Sequence, residues 1–217
     1  MADFAERGRV DSVEDWNKYC HYVAGLVGIG LSRLFHASGL EDDWFESKAD
    51  ATANSMGLFL QKTNIIRDYM EDILETRIFW PTEIWSLYTD KLENFKEPEH
   101  IKPAIACLNH LITNALEHVP AVLSYLEHIK EDSVFTFCAI PQVMAIATLA
   151  LCYNNPNVFK GVVKIRRGET AKVLSSSFLL YPFAPTNIFW YLLIYRYSHL
   201  LKALIQSNTT SIIWCRR

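Results

Sequence analysis

The sequence predicts an all-α protein made of one helical domain followed by a different kind of tail. Apolar residues recur at helical spacing over four stretches, residues 13–35, 51–73, 101–129 and 135–153. None of the chain shows the sustained apolar–polar alternation of a strand. Half of the 217 residues are hydrophobic, and such a chain can bury one sizeable core. These three observations together favour a single helical domain.

Residues that end or break helices separate these stretches. An acidic run follows the first stretch, Trp80-Pro81 follows the second, Glu97-Pro98 precedes the third, and Asn154-Asn155-Pro156 follows the fourth. Pro120 lies inside the third stretch and is predicted to kink or divide that helix, since proline lacks the N–H that an interior turn needs. The chain contains no internal repeat.

The composition changes at about residue 172. We therefore assign residues 1–171 to the helical domain and residues 172–217 to an apolar, aromatic tail. Residues 173–195 carry no charge and are long enough to span a bilayer. Pro182 and Pro185 in the middle of this segment, with Arg196 directly after it, favour the alternative of a poorly packed tail. Membrane association is left open.

Charge and cysteine content narrow the range of functions. A formal net charge of -3 gives no general attraction to nucleic acid, so an electrostatic function has to be local. The five cysteines form no C-x-x-C pair and leave an odd one, which argues against a disulfide scaffold and a zinc site. The first residues contain no apolar run of signal-peptide length. These features are typical of a protein with reduced thiols that faces the cytosol.

A polar stripe on the second helix is the main functional lead. Residues three and four apart share a helix face, so the stripe comprises Gln61, Asn64, Asp68, Glu71, Asp72 and Glu75. An apolar stripe lies on another side and comprises Leu58, Ile65, Ile66, Tyr69 and Ile73. Like charges at these spacings repel each other, and a bound cation would remove that repulsion.

Oxygen ligands without cysteine or histidine suit Mg²⁺, which commonly bridges carboxylates to the phosphate oxygens of a substrate. Arg67 could add a forked donor to the same phosphates. The alternative is an ordinary solvated helix face. Gly57, one turn earlier on the same face, would let a ligand or a neighbouring helix come close, and it favours a binding site.

Four blocks of this sequence resemble the squalene and phytoene synthase family. They are YCHYVAGLVGIGLSRLF at residues 19–35, GLFLQKTNIIRDYMEDILETRIFWP at 57–81, FCAIPQVMAIATLALCYNN at 137–155 and VFKGVVKIRRG at 158–168. The last two blocks resemble the squalene-forming branch of the family in particular. The resemblance implies an all-α isoprenoid-synthase fold in which two farnesyl diphosphates condense head to head to presqualene diphosphate, which NADPH then reduces to squalene.

The resemblance also implies roles for individual residues. Asp68, Glu71 and Asp72 match one of two aspartate-rich motifs that hold Mg²⁺, and Asn64 and Arg67 match positions that support metal, diphosphate or cofactor binding. Gln61, on the same polar stripe, is a further candidate for diphosphate binding.

Five more positions match functional positions of the family. Tyr22 matches the active-site tyrosine, whose phenol could take a proton or direct the diphosphate. Phe137 matches an aromatic residue whose ring could steady a carbocation. Lys164 and Arg166 match positions assigned to the NADPH phosphates. Arg77 matches the arginine of a Gly-Arg pair and is a candidate for diphosphate binding, but Thr76 stands in the place of the glycine, so the turn is expected to differ.

The family's first aspartate-rich motif lies upstream of the tyrosine block, and this chain starts too late to contain it. We therefore expect a squalene-forming transferase whose activity is impaired in this chain. A second hypothesis is a non-catalytic isoform that binds magnesium diphosphate weakly or pairs with a full-length partner, and a third is a membrane-associated helical protein without a ligand. The resemblance implies the cytosolic face of the endoplasmic reticulum membrane and leaves the oligomeric state open.

Overall fold

A computed structural model describes residues 8–166 and residue 168. Contacts within the chain divide it into a unit Met1–Lys164 and a unit Ile165–Arg217. Most of the described residues, 8–164, lie in the first unit. The predicted tail, residues 172–217, and its candidate membrane span lie outside the described residues, so the predicted domain boundary at residue 171 stays a prediction.

The described part of the first unit is helical and contains no strand, which confirms the predicted fold class. Its only β contact there is an isolated bridge between Arg9 and Ile78. The α-helices are α1 Val13–Cys20, α2 Leu26–Ala37, α3 Trp44–Ser47, α4 Asp50–Arg67, α5 Tyr69–Leu74, α6 Thr82–Trp85, α7 Ile101–Leu116, α8 Val119–His128 and α9 Asp132–Cys152. A π-helical segment, His21–Gly25, joins α1 to α2, and 3₁₀ turns cover Leu92–Lys96, Pro98–His100 and Pro156–Phe159.

The prediction of one regular helix over residues 13–35 was wrong in its middle. After α1, the backbone widens into the π segment, where the Leu26 N–H bonds to the His21 carbonyl. Tertiary contacts hold this segment, because the His21 Nδ1 lies 2.7 Å from the Asn54 Oδ1 on α4. A π turn is rare and often marks a functional position.

The prediction of a single helix over residues 51–73 also needs a correction at Asp68. The backbone there has φ -90° and ψ 15°, which separates α4 from α5. The Trp80 indole N–H donates to the Ile65 carbonyl at 3.1 Å, and in a regular helix Tyr69 would donate to that carbonyl. A distant tryptophan therefore competes for a helical acceptor at this break.

Pro120 divides the third predicted helix, as expected. Helix α7 ends at Leu116, and α8 begins at Val119 with the proline in its first turn, where a missing N–H costs nothing. Pro141, by contrast, lies inside α9.

Helix α4 is the central element of the core. It packs against α1, the π segment, α2, α7, α8 and α9. The predicted apolar stripe is buried in full, from Leu58 to Ile73. Four cysteines, Cys20, Cys107, Cys138 and Cys152, are buried and free, as the composition predicted for the described part of the chain.

Glu41 fixes the start of α9. Its buried carboxylate accepts the backbone N–H groups of Lys130 and Glu131 at 3.0 Å, directly before the helix begins. A negative charge at a helix N-terminus is favourable, so this acidic residue has a structural role.

Among the described residues, α9 is the one helix long and apolar enough to cross a membrane, with a mean hydropathy of 2.0. However, 56% of this helix is buried within the protein, and it packs on α4 and α8. A core helix passes the same test, so α9 gives little support to a membrane span.

Candidate active site

An apolar cavity of about 300 Å³ opens between the π segment, α2, α4, α8 and α9. Its walls are mainly aliphatic and aromatic, and they include Val27 and Leu31 from α2, Met56 and Leu60 from α4, and Phe137 from α9. A concave apolar space with a few polar groups at its border is the usual form of a small-molecule site.

The predicted polar stripe continues the helix face that lines this cavity. Ala53, Gly57 and Leu60 of α4 contact the cavity, and Asn64 and Asp68 follow on the same face at helical spacing. At 1.5 Å per residue, Asp68 lies about 12 Å along the axis from Leu60. This face of α4 therefore presents apolar residues at the cavity and polar residues towards Asp68.

Asp72 is held in a protein environment, and the alternative of a fully solvated acidic face is wrong for this residue. Its side chain is buried, and an Arg77 guanidinium nitrogen donates to it at 3.0 Å. Burial raises the pKa of Asp72 to about 6, and the nearby charges of Asp68 and Glu75 add to this shift, while Arg77 opposes it. Glu71 and Glu75, by contrast, are exposed.

The turn after α5 positions Arg77 for this contact. The Thr76 N–H donates to the Ile73 carbonyl and the Arg77 N–H to the Asp72 carbonyl, which is the hydrogen-bond pattern of a Schellman motif. The motif needs a left-handed residue, and Thr76 takes that conformation with φ 57°. Threonine thus adopts here the left-handed conformation that glycine favours, and the expectation that the turn differs from that of the family stays a prediction.

Arg67 and Asp68 form a bidentate pair, with both donor–acceptor distances at 2.7 Å. This hydrogen bond raises the pKa of the Arg67 guanidinium. The Arg67 guanidinium can exchange this carboxylate for a phosphate, because both groups accept two parallel N–H hydrogen bonds. The released carboxylate can then bind a metal ion.

No group of three His, Cys, Asp or Glu side chains arranged for a metal ion occurs among the described residues. The carboxylates of Asp68 and Asp72 are hard oxygen donors, and the Asp72 N–H bonds to the Asp68 carbonyl one turn earlier, so they share one face. Mg²⁺ usually takes one or two carboxylates and completes its shell with water and phosphate. The two aspartates therefore fit one side of a magnesium site.

The other predicted residues lie in several places. Tyr22 is in the π segment, next to the cavity residues Val23 and Ala24, and is 37% exposed. Phe137 lines the cavity with an edge-to-face contact to Phe35. Gln61 is half-buried and Asn64 is exposed.

Lys164 and Arg166 are both exposed and lie on irregular backbone. They fall in different units of the chain, Lys164 in the first and Arg166 in the second. Their role at NADPH phosphates stays a prediction.

Sequence reasoning missed two residues near the site. Gln142 lines the cavity, and the signal was a lone amide directly after a proline in an otherwise apolar helix. Tyr19 stacks on Phe79 at 5.0 Å. Burial raises the pKa of Tyr19, the charges of Cys20 and Asp72 add to this rise, and Arg77 opposes it. Its position depends on tertiary contacts that no local pattern indicates.

The fold and the site define an all-helical protein in which an apolar cavity adjoins a carboxylate cluster. Solved structures have a similar fold: in a structure of TcSQS with the ligand BPH1237, the match covers 96% of this chain and 64% of that chain, with a TM-score of 0.81 and 45% identity. A second, of TcSQS with the ligand E5700, matches with a TM-score of 0.79 and covers 93% of this chain and 63% of its own.

The sequence model described as squalene/phytoene synthase matches residues 1–169, and the chain belongs to this family. Mouse squalene synthase is 62% identical over 174 residues, which is 80% of this chain and 41% of the mouse protein. Squalene synthase of Dictyostelium discoideum is 60% identical over 176 residues, which is 81% of this chain and 42% of that protein. The chain thus spans about two fifths of the length of these relatives.

Proposed function

We propose that this protein contributes to squalene formation, the head-to-head condensation of two farnesyl diphosphates through presqualene diphosphate with reduction by NADPH. The observation that carries the proposal is the continuous face of α4, which runs from the apolar cavity to Asp68. A prenyl chain in the cavity would place its diphosphate beside Asn64 and Asp68. The family membership of the chain supports the same reaction.

The residues of this chain have distinct roles in the proposed reaction. Mg²⁺, held by Asp68 and Asp72 with Glu71 at the rim, would neutralise the departing diphosphate as a Lewis acid. Arg67 and Arg77 donate to diphosphate oxygens, and Gln61 and Asn64 add neutral hydrogen bonds. Phe137 offers a ring face to positive charge that develops on the prenyl carbons, and Tyr22 takes the proton lost as the cyclopropane closes.

Two further proposals rest on the family. Asn64, Lys164 and Arg166 bind the phosphates of NADPH. The positive charges of Lys164 and Arg166 attract phosphate, and the Asn64 amide donates a hydrogen bond. The protein acts at the cytosolic face of the endoplasmic reticulum membrane.

A second candidate function is weak, non-catalytic binding of magnesium diphosphate, alone or beside a full-length partner. The observation that favours it is that the described carboxylates supply only one side of a magnesium shell. Facing carboxylates from a partner would complete the shell in that case.

Calorimetry with a non-hydrolysable farnesyl diphosphate analogue tests the site, with and without Mg²⁺. We expect magnesium-dependent binding by the full chain, and loss of the magnesium dependence in Asp68→Asn. Asp50→Asn is the matched control, since Asp50 is a half-buried carboxylate at the other end of α4, paired with Arg33 at 2.9 Å. Binding that is indifferent to magnesium in the unsubstituted chain would refute the proposed site.

A turnover assay separates the two candidate functions. Labelled farnesyl diphosphate is followed into presqualene diphosphate and squalene, with and without NADPH. Product from the chain alone supports the transferase, whereas magnesium-dependent binding of the analogue without any product supports the second candidate. If Asp68→Asn binds the analogue but forms no product, the metal acts on the chemical step.

A further inference from the structure

We propose that Phe79 is a positioning residue for Arg77. Its ring holds the guanidinium beside the carboxylate cluster and leaves the N–H donors free for a diphosphate. This inference deepens the proposed function, on which it rests for the identity of the ligand. The placement of Arg77 by Phe79 can be measured in the chain without any ligand.

Arg77 has two kinds of contact. One guanidinium nitrogen donates to Asp72 at 3.0 Å, and another donates to Glu75 at 2.7 Å. The central carbon of the guanidinium lies 5.7 Å from the centroid of the Phe79 ring, which is within the range of a cation–π contact. The Arg77 side chain is 46% exposed, so a ligand can reach it from solution.

The carboxylates and the ring hold Arg77 in different ways. A carboxylate takes up N–H donors of the guanidinium, and a diphosphate needs the same donors. In the proposed site Asp72 is also a metal ligand, which weakens its hold on Arg77. An aromatic ring attracts the cation through its π face and takes up none of these donors. Phe79 is therefore the contact that Arg77 can keep while it donates to a diphosphate.

Phe79 is held on both sides along the chain, independently of the guanidinium. Both backbone groups of Ile78 bond to the segment 8–10, at 3.0 and 3.2 Å. On the other side, the indole of the buried Trp80 donates to the Ile65 carbonyl at 3.1 Å. The position of the ring thus depends on the fold and not on Arg77.

A second aromatic residue, Tyr19 of α1, packs against Phe79. The centroids of the two rings are 5.0 Å apart and their planes differ by 28°, which is a stacked contact. Both residues are half-buried. Because the Phe79 ring is already ordered by these contacts, it can hold Arg77 at a small entropy cost when a ligand binds.

Nuclear magnetic resonance of the arginine side chains tests this placement in the full chain without ligand. The Nε–H signal of Arg77 is identified as the one lost in Arg77→Met. An aromatic ring shifts the signals of nearby protons, so Phe79→Leu should move this signal towards that of a solvated arginine, whereas Phe79→Tyr should leave it in place. Tyr88→Leu is the matched control: it removes a half-buried ring that packs on His110 of α7, and the Arg77 signal should not change.

Calorimetry with the farnesyl diphosphate analogue and Mg²⁺ tests the effect on binding. Phe79→Leu should weaken the affinity by about threefold, the size of one cation–π contact at a partly exposed site. Phe79→Tyr should keep the affinity of the unsubstituted chain. In an Arg77→Met background, Phe79→Leu should have no further effect, because Phe79 acts through Arg77. A merely structural role of Phe79 would give the same loss in both backgrounds.

Thermal unfolding shows whether each variant is folded, and Phe79→Met replaces Phe79→Leu if the leucine variant is not. An Arg77 signal that stays in place without the ring overturns the inference, as does an equal loss of affinity in the two backgrounds. If the signal moves but the unsubstituted chain shows no magnesium-dependent binding of the analogue, the proposed function fails and the placement of Arg77 by Phe79 holds. Magnesium-dependent binding with an unmoved signal supports the proposed function and removes the role of Phe79.

Discussion

Thr76 has a strained backbone conformation, and this conformation closes the turn that positions Arg77. A β-branched residue with φ 57° is unfavourable, because its side chain crowds the backbone in the left-handed region. The turn it closes lets Arg77 reach back to Asp72 and, at 2.7 Å, to Glu75. The side chain at position 76 thus weakens the fold while the backbone shape there serves the site.

We predict that Thr76→Gly raises the free energy of unfolding by about 1 kcal/mol, because glycine adopts the left-handed conformation without strain. Urea denaturation measures the change. Thr76→Ala is the control, since it shortens the side chain but keeps the Cβ that causes the strain. Equal stability of the two variants would show that strain at this position is negligible.

Lys62 is a buried cation whose contacts are neutral. Its side chain is 1% exposed, and its ammonium lies 2.7 Å from the Asn114 Oδ1, 3.0 Å from the His118 Nε2 and 4.8 Å from the centre of the Trp16 ring. Burial lowers the pKa of Lys62 to about 8, and burial with the nearby Lys62 charge lowers the pKa of His118 to about 4. The neutral histidine is then free to accept from the ammonium.

This environment predicts a pH dependence of stability. The lysine is neutral in the folded state above pH 8 but stays protonated in the unfolded chain until about pH 10.5, so the unfolded state binds more protons in this window. The contribution of Lys62 to the free energy of unfolding therefore rises with pH, by about 1 kcal/mol between pH 8 and 9.

Lys62→Met tests this prediction by denaturation at several pH values. The buried cysteines have raised pKa values and act in the opposite direction, but their contribution largely cancels when the two proteins are compared. The unsubstituted protein should gain stability over the variant as the pH rises from 8 to 9. Parallel curves would mean that the lysine is hydrated in the folded state.

At the level of helices, glycines allow the backbones of the π segment and α2 to pack closely against α4. A Cβ on Gly57 would lie 2.5 Å from the Ala24 carbonyl oxygen, and one on Gly28 would lie 2.6 Å from the Ala53 carbonyl oxygen. A Cβ on Gly25 would overlap the Asn54 amide. Gly57 was predicted to admit a ligand or a helix, and the structure shows that it admits a helix.

We predict that Gly57→Ala destabilises the protein by about 1–3 kcal/mol, because backbone atoms of the π segment must move. Gly30→Ala provides the contrast, because no atom of the described residues lies within 4 Å of a Cβ added at Gly30. Alanine at this helical position should stabilise by up to about 1 kcal/mol. Thermal unfolding of both variants measures the difference, and effects of the same sign would contradict the packing argument.

The helical stretches themselves were predictable, whereas their interruptions were only partly so. Pro120 identified the division between α7 and α8, because a proline acts through its own covalent structure. The π segment and the break at Asp68 depend on Asn54 and Trp80, which are far from them in sequence. Helical periodicity is a local property of the sequence, so it does not indicate contacts with residues that are distant along the chain.

On the surface of the molecule, several exposed apolar side chains of α2 and α9 lie near the cavity. Leu26, Val27 and Leu34 of α2 and Phe137 of α9 are each between 48% and 64% exposed. A bound prenyl chain would cover part of this surface, which links ligand binding to stability. Ligands that bind only the folded state raise its stability by mass action.

We predict that the farnesyl diphosphate analogue, with Mg²⁺ and at one hundred times its dissociation constant, raises the free energy of unfolding by about 2.7 kcal/mol. The measurement is a denaturation curve with and without the ligand. Inorganic diphosphate with Mg²⁺ is the control, and it should stabilise less because it leaves the cavity empty. Equal effects of the two ligands would place the affinity at the carboxylates alone.

The sequence by itself determined the all-helical class, the apolar stripe that is buried along α4 and α5, and the family to which the chain belongs, because periodicity and motif order are properties of the amino-acid order. It also identified Asp68, Asp72 and Phe137 as candidates. Only the tertiary structure decided that Asp72 is buried against Arg77, that the Gln142 Oε1 lacks a partner among the described residues, and that Gly57 and Leu60 of α4 line the cavity. Burial and the pairing of charges depend on residues brought together by folding, and these distances have no counterpart in the order of the amino acids.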